Sequence, residues 1–181
     1  MPIFKYDDMK NLHNLHKEVY FWANRNEFRN TIIEYEKVAL YIWEIDNDLG
    51  QPICDYVNKM YDAYYFKENK LNEMIKVINS NRIKIYSIFL CDFYSPLKRL
   101  RADSAVAIQL CKTSISQGMA KAIALVDDMK LVYKDIAIEF NTKLSYYVDY
   151  QYGKADVLIG LIEEYVGRIF KEKILEFEKD F

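Results

Sequence analysis

The chain of 181 residues has a formal net charge of −2 at pH 7, so its overall balance lacks the basic excess of most nucleic-acid-binding proteins. Hydrophobic residues make up 51% of the sequence and charged residues 29%, which excludes a largely disordered chain. With only 5 glycines and 3 prolines, the composition favours long helices and few tight turns. We therefore expect a single all-α domain over residues 1–181.

Apolar residues at helical spacing predict three helices in the first part of the chain. The first covers about Asp8–Asn24, with an aspartate as its cap. The second is expected to end at Gly50, because glycine suits the left-handed position past a helix end and Pro52 suits a first helical turn. The third runs from Pro52 to about Asn79, and an interruption near Lys67–Asn69 is an alternative.

The segment Arg82–Phe93 allows two interpretations. It begins with the alternation of apolar and polar residues that is typical of a strand. No second convincing strand exists to pair with it, so we predict a buried helix after a turn at Asn79–Arg82. Ser95 is then expected to cap the next helix, with Pro96 in its first position.

One long central helix is predicted from near Pro96 to Gly153. Its apolar residues recur at alternating spacings of three and four, which is the seam of a coiled coil. The seam residues are Ile108, Cys111, Ile115, Gly118, Ala122, Leu125, Met129, Val132 and Ile136. Gly118 lies on this seam, and we expect it to let a neighbouring backbone come close.

A last helix is predicted over Lys154–Lys179, where Gly160 and Gly167 share a face and suggest close approach of another helix. The expected fold is an elongated antiparallel bundle of five to seven helices around the long central helix. The seam is expected inside this bundle, and homo-oligomerisation is the alternative. Cys91 and Cys111 lie among apolar residues and are expected in the core of a cytoplasmic protein.

The sequence contains no pattern that is diagnostic of catalysis. The two histidines, His13 and His16, would share a helical face as two metal ligands without a clear third, and an exposed polar face is the preferred interpretation. No Glu-x-x-His pair and no glycine-rich phosphate loop occurs. We expect no metal, no cofactor and no enzymatic activity.

A basic cluster of Lys98, Arg99 and Arg101 follows Pro96 in the first turns of a predicted helix. Cations there oppose the helix dipole, which suggests a site for an anion or an acidic partner. The preferred interpretation is a solvated patch that Asp92 and Asp103 partly neutralise.

Tyrosine is abundant, with 16 residues that include two clusters. Because not every ring in such a cluster can face one core, we predict a partner-binding surface, with packing at the core edge as the alternative. The surface residues are Tyr61, Tyr64, Tyr65, Tyr146 and Tyr150.

These features favour a non-enzymatic helical protein that acts by protein–protein binding, such as an adaptor, an inhibitor or immunity-type protein, or an effector. One alternative is a membrane-acting helical protein such as a pore-forming toxin component, because Ser104–Val126 is rich in apolar residues. Lys112 and Lys121 would make insertion of that segment costly. Another alternative is a helical bundle that binds a small molecule between tyrosines.

Overall fold

The computed structural model describes residues 1–181 and contains eight helices and no strand. The helices are α1 (Tyr6–Ala23), α2 (Phe28–Ile45), α3 (Asn47–Tyr65), α4 (Leu71–Phe93), α5 (Ser95–Thr113), α6 (Ile115–Lys130), α7 (Lys134–Tyr150) and α8 (Ala155–Glu178). The all-α class is confirmed. The predicted count of five to seven helices is wrong, because the central helix is divided.

The chain forms two compact units. Unit 1 comprises Met1–Phe89 and Asp180–Phe181, and unit 2 comprises Leu90–Lys179. In unit 1, α2 packs between α1 and α3. In unit 2, α6 packs against α5 and α7, and α8 also contacts these helices. The assignment of the whole chain to one domain stays a prediction.

Hydrogen bonds between side chains join α4 to its neighbours in unit 1. The Tyr20 hydroxyl of α1 donates to the Asn79 side chain of α4. The Asn81 amide of α4 donates to the Tyr35 hydroxyl of α2 at 3.0 Å, although the Tyr35 side chain is fully buried. The second bond satisfies the hydroxyl of a buried ring, where an unpaired group would be destabilising, whereas the first lies at the surface.

The predicted long central helix is wrong. Ser114 has φ −153° and ψ 111°, and Tyr133 has φ −138° and ψ 102°, so each interrupts the helix with extended backbone. The Ser114 hydroxyl accepts a hydrogen bond from the backbone N–H of Gln117 at 3.4 Å, which starts α6. Of the predicted seam residues, Cys111 is buried on α5 and Gly118, Ala122, Leu125 and Met129 are buried on α6, whereas Ile108 and Ile115 on either side of Ser114 are half-buried.

The expected packing role of Gly118 is confirmed at this corner. A Cβ on Gly118 would lie 2.5 Å from the Sγ and 2.8 Å from the Cα of Cys111. Glycine therefore allows the start of α6 to approach the end of α5. Cys111 and Cys91 are both buried, as expected.

Gly50 does not end the second helix, and that prediction is wrong. The helix α2 ends earlier, at Ile45, and Asp46 is extended, with φ −148° and ψ 108°. The Asp46 carboxylate accepts from the Leu49 N–H at 3.0 Å and caps α3. Gly50 lies inside α3, where a Cβ would approach the Trp43 Cα to 2.3 Å.

The segment Arg82–Phe93 is helical, as predicted, but it belongs to the continuous helix α4. The predicted turn at Asn79–Arg82 is therefore wrong. The alternative of an interruption near Lys67–Asn69 is confirmed, since α3 ends at Tyr65 and α4 begins at Leu71. Ser95 is the first residue of α5 rather than its cap, and the capping position is held by Tyr94.

Each unit has its own set of buried apolar side chains. In unit 1, these include Met9, Leu12, Val19, Ile32, Tyr35, Ile42, Val57, Met60 and Met74. In unit 2, they include Leu97, Leu100, Ala122, Leu125, Met129, Phe140, Tyr147, Ile162 and Ile169. The predicted close approach at Gly160 and Gly167 is wrong, because no atom lies within 4 Å of a Cβ at either position.

Candidate functional site

Two similar turns form one end of unit 1. After α1, the N–H of Glu27 bonds back to the carbonyl of Trp22 at 3.2 Å, and Asn26 is left-handed with φ 57°. After α3, the N–H of Glu68 bonds back to the carbonyl of Ala63 at 2.9 Å, and Lys67 is left-handed with φ 59°. Both are hydrogen-bonding patterns of a Schellman helix end. Because α2 returns between α1 and α3, the two turns lie at the same end.

A cavity of about 430 Å³ opens at this end, and we name it the aromatic cavity. Its lining residues are Phe28, Tyr64, Tyr65, Lys67, Glu68 and Asn69. Phe28 starts α2 and is only 7% exposed, so its ring supplies a buried apolar surface. The Tyr64 ring meets Phe28 edge-on, with centroids 6.2 Å apart. Tyr65, the last residue of α3, is 85% exposed and forms part of the lining.

The polar lining groups of the aromatic cavity differ in their pairing. Glu68 forms an ion pair with Lys70 at 3.6 Å. The Asn69 side chain accepts from the N–H of Leu71 at 3.0 Å and so helps to start α4. Lys67, whose backbone is left-handed with φ 59°, forms no ion pair within the chain.

The predicted surface tyrosines of α3 separate into two environments. Tyr64 and Tyr65 line the aromatic cavity, whereas Tyr61 is half-buried. Burial and the neighbouring Glu36 raise the pKa of the Tyr61 hydroxyl, because ionisation is unfavourable in a desolvated place and beside a carboxylate. Phe66, which follows Tyr65 in the same sequence cluster, is 75% exposed, and the two ring centroids lie 6.3 Å apart.

Tyr146 and Tyr150 form a separate exposed pair on α7 of unit 2. Their ring centroids are 4.8 Å apart. Tyr147, which lies between them in sequence, is fully buried, and its hydroxyl donates to the carbonyl of Lys154 at 3.2 Å. The two predicted tyrosine clusters thus belong to different units, and the binding role of each stays a prediction.

The basic residues Lys98, Arg99 and Arg101 are exposed on α5. Burial raises the pKa of the Cys91 thiol, and a hydrogen bond from Arg101 opposes this effect. Arg99 lies near Asp128, whose pKa is raised by burial and by the neighbouring Asp103. Lys98 also lies near Cys91, whereas Arg99 lies near Asp128, and an anion site at these positions stays a prediction.

Asp103 also takes part in an ion pair between α5 and α6, with Lys121 as its partner at 3.5 Å. Asp103 was expected to neutralise the basic cluster in part. The pairing with Lys121 shows that its charge is shared with a second helix of unit 2.

His16 lies in the interior of unit 1, and the expectation of an exposed polar face is wrong for this residue. Its side chain is 3% exposed, and its Nδ1–H donates to the carbonyl of Leu12 at 2.8 Å. Burial lowers the pKa of His16 to about 4, because the charged ring is disfavoured away from water. His13 is half-buried, and its ring lies 5.2 Å from that of Phe181.

The sequence contained a signal for the burial of His16. The buried positions of α1 are spaced three and four residues apart, and His16 occupies one of them. These positions are Met9, Leu12, His16, Val19 and Ala23. The periodicity of the helix therefore locates this histidine better than its polarity does.

A second cavity, of about 330 Å³, lies in unit 2 where α7 begins. Its lining residues are Tyr133, Lys134, Asp135, Ile136, Arg168 and Glu172. Arg168 is paired with Glu139 at 3.0 Å, and the lining carries charges of both signs. This cavity therefore shows no clear preference for one ligand charge.

No group of three or more His, Cys, Asp or Glu side chains is arranged to hold a metal ion. None of the eight helices has both the length and the apolar character that crossing a bilayer requires. Comparisons with protein-family models, with curated proteins and with solved structures find no match to this chain.

Proposed function

We propose that this protein acts without catalysis, by binding another protein as an adaptor, inhibitor or effector. The binding surface is the aromatic end of unit 1, which we define as Phe28, Tyr64, Tyr65 and Phe66. The observation that carries this proposal is the aromatic cavity, where exposed rings surround a nearly buried one.

The exposure of this aromatic end supports a binding role. Tyr65 and Phe66 follow one another at the end of α3, and both rings are more exposed than the Tyr64 ring beside them. A large aromatic ring releases water from about 150–250 Å² when it is covered, and such rings dominate the energy of many protein interfaces. The nearby cavity offers a recess for a partner side chain, which is the usual setting of an interface hot spot.

Selection of binding peptides from a random display library on the full chain tests the proposal. The peptides are then measured against a variant of the aromatic end, Tyr65→Ser with Phe66→Ser, and a matched control, Tyr146→Ser with Tyr150→Ser. All four side chains are exposed, so we expect both variants to fold, and circular dichroism checks this.

We expect the selected peptides to lose at least about thirtyfold in affinity for the aromatic-end variant, since hot-spot aromatics contribute ~2 kcal/mol or more. Binding to the control should stay within about twofold. Equal binding to both variants, or repeated selections without any binder, would count against the proposal.

A further inference from the structure

We infer that the partner segment carries a bulky apolar side chain next to a carboxylate. The apolar side chain enters the aromatic cavity, and the carboxylate pairs with Lys67 at its rim. This inference rests on the proposed function and adds the chemistry of the partner to it.

The apolar half of the motif follows from the rings that line the cavity. The nearly buried Phe28 ring can gain contacts only from an atom that enters the recess. Tyr64 and Tyr65 add two more ring surfaces around the same recess. A bulky aliphatic or aromatic side chain would contact all three rings and displace water that has few polar partners there.

The charged half follows from the pairing of the polar lining groups. The Glu68 carboxylate is compensated by Lys70, and the Asn69 carbonyl is occupied by the N–H of Leu71. Lys67 retains an unpaired ammonium group. The charge that remains available at the rim is therefore positive, and its complement is a carboxylate.

The backbone conformation at Lys67 is also unusual for its residue type. Its φ of 59° is a conformation that glycine adopts at low cost and that most other residues avoid. The matching turn after α1 holds Asn26, a residue type that tolerates this conformation. A lysine in the left-handed conformation is unfavourable for its residue type, and this one lies at the rim of the cavity. Unfavourable backbone conformations are commonly found at functional sites.

The same charge disfavours the other ligand that three rings could hold. Aromatic rings attract ammonium and guanidinium groups through cation–π contacts. At this cavity, the Lys67 ammonium would repel such a cation. An acidic and apolar segment therefore fits the combined lining better than a basic one.

Parallel peptide selections on the unmodified chain and on Lys67→Gln test this inference. The glutamine keeps the approximate length of the side chain and removes its charge. We expect both pools to be rich in bulky apolar residues, and only the pool from the unmodified chain to be rich in Asp or Glu beside them.

Affinity measurements on one selected peptide complete the test. Changing its carboxylate to the amide should weaken binding to the unmodified chain by about two- to fivefold, the range of an exposed ion pair. The same change should have no effect on Lys67→Gln, and Lys59→Gln on the exposed face of α3 serves as the control for charge removal. Equal acidic enrichment in both pools, or a carboxylate effect that survives in Lys67→Gln, would overturn the inference.

The two proposals fail in different ways. Peptides that depend on Tyr65 and Phe66 but show no acidic preference would retain the proposed function and reject the carboxylate. Selected peptides with a basic residue beside the apolar one would also contradict the inferred carboxylate. If binding is indifferent to Tyr65 and Phe66, the proposed function itself fails, whatever the charge of the peptides.

Discussion

The α2–α3 corner of unit 1 and the α5–α6 corner of unit 2 have the same backbone construction. One extended residue separates the helices, and its side chain accepts from the N–H three positions later. Asp46 does this in unit 1 and Ser114 in unit 2. Four positions after each lies a glycine, Gly50 or Gly118, that lacks room for a Cβ. One cap and one glycine are thus a common solution for joining two helices through a single residue.

The corners differ in what the glycine approaches. At Gly50, the nearest atoms belong to the backbone and Cβ of Trp43, which cannot rotate away. At Gly118, the nearest atom is the Sγ of the buried Cys111, and backbone atoms follow at 2.8 and 2.9 Å. We infer that the unit 1 corner tolerates less added volume than the unit 2 corner.

Alanine at the corner glycines should give the largest effects. We expect Gly50→Ala to lower the free energy of unfolding by about 2–4 kcal/mol and Gly118→Ala by somewhat less, through overpacking. Gly160→Ala and Gly167→Ala are matched controls in α8, where a Cβ would meet no neighbouring atom. Each should raise the free energy of unfolding by about 0.5–1 kcal/mol, because alanine has a higher helix propensity than glycine. Urea unfolding measures all four, and equal effects at Gly118 and Gly160 would contradict the corner geometry.

Acidification should distinguish the two units, because both histidines belong to unit 1. The folded pKa of His16, about 4, lies below the ordinary histidine pKa of 6.5, so the unfolded chain binds the proton more readily. Stability is therefore complete above about pH 6.5 and declines as the pH falls towards about 4, by up to ~3 kcal/mol.

Denaturation monitored by tryptophan fluorescence can measure this loss, because Trp22 and Trp43 both lie in unit 1. His16→Gln should flatten the pH dependence over this window. His13→Gln should largely preserve it, because His13 is less buried. An unchanged slope in His16→Gln would show that another group controls the acid response.

Removal of the corner caps should have effects of intermediate size. Asp46→Ala should lower the free energy of unfolding by about 1 kcal/mol, because the N–H of Leu49 loses its acceptor. Ser114→Ala should cost about 0.5–1 kcal/mol, since its bond is longer. Asp46→Asn retains a hydrogen-bond acceptor and should change the free energy of unfolding by only about 0.3 kcal/mol. Equal losses in the alanine and asparagine variants would indicate that the cap bond contributes little.

The smallest expected effect concerns the two turns at the aromatic end. Lys67→Gly should raise the free energy of unfolding by about 0.5 kcal/mol, because relief of the left-handed backbone exceeds the entropy that glycine adds to the unfolded chain. Asn26→Gly should be near neutral. A destabilised Lys67→Gly in urea unfolding would show that the lysine side chain has a structural role in the turn.

The sequence identified helical faces more reliably than helix ends. The seam that includes Cys111, Gly118 and Ala122 is buried at these positions, as a periodic pattern predicts. The same pattern could not reveal the corner at Ser114, because one extended residue leaves the spacing of three and four unchanged. A serine cap four positions before a glycine, repeated as Asp46 before Gly50, was the available local signal.

The candidate site was predictable in part for a related reason. Abundant tyrosine pointed to Tyr64 and Tyr65, which do line the aromatic cavity. The role of Phe28 depends on bringing the start of α2 next to the end of α3, which is a tertiary contact. Lys67 gave no signal, because neither its left-handed backbone nor its position in the cavity lining is suggested by the residue type.

Mapping the position of a selected peptide on the full chain by backbone amide chemical shifts is the most direct test of the proposed binding surface. We expect the peptide to shift the amide signals of Phe28, Tyr64 and Lys67 and to leave those of Tyr146 and Tyr150 unchanged. Shifts confined to Tyr146 and Tyr150, with the aromatic cavity unaffected, would contradict binding at the aromatic end of unit 1.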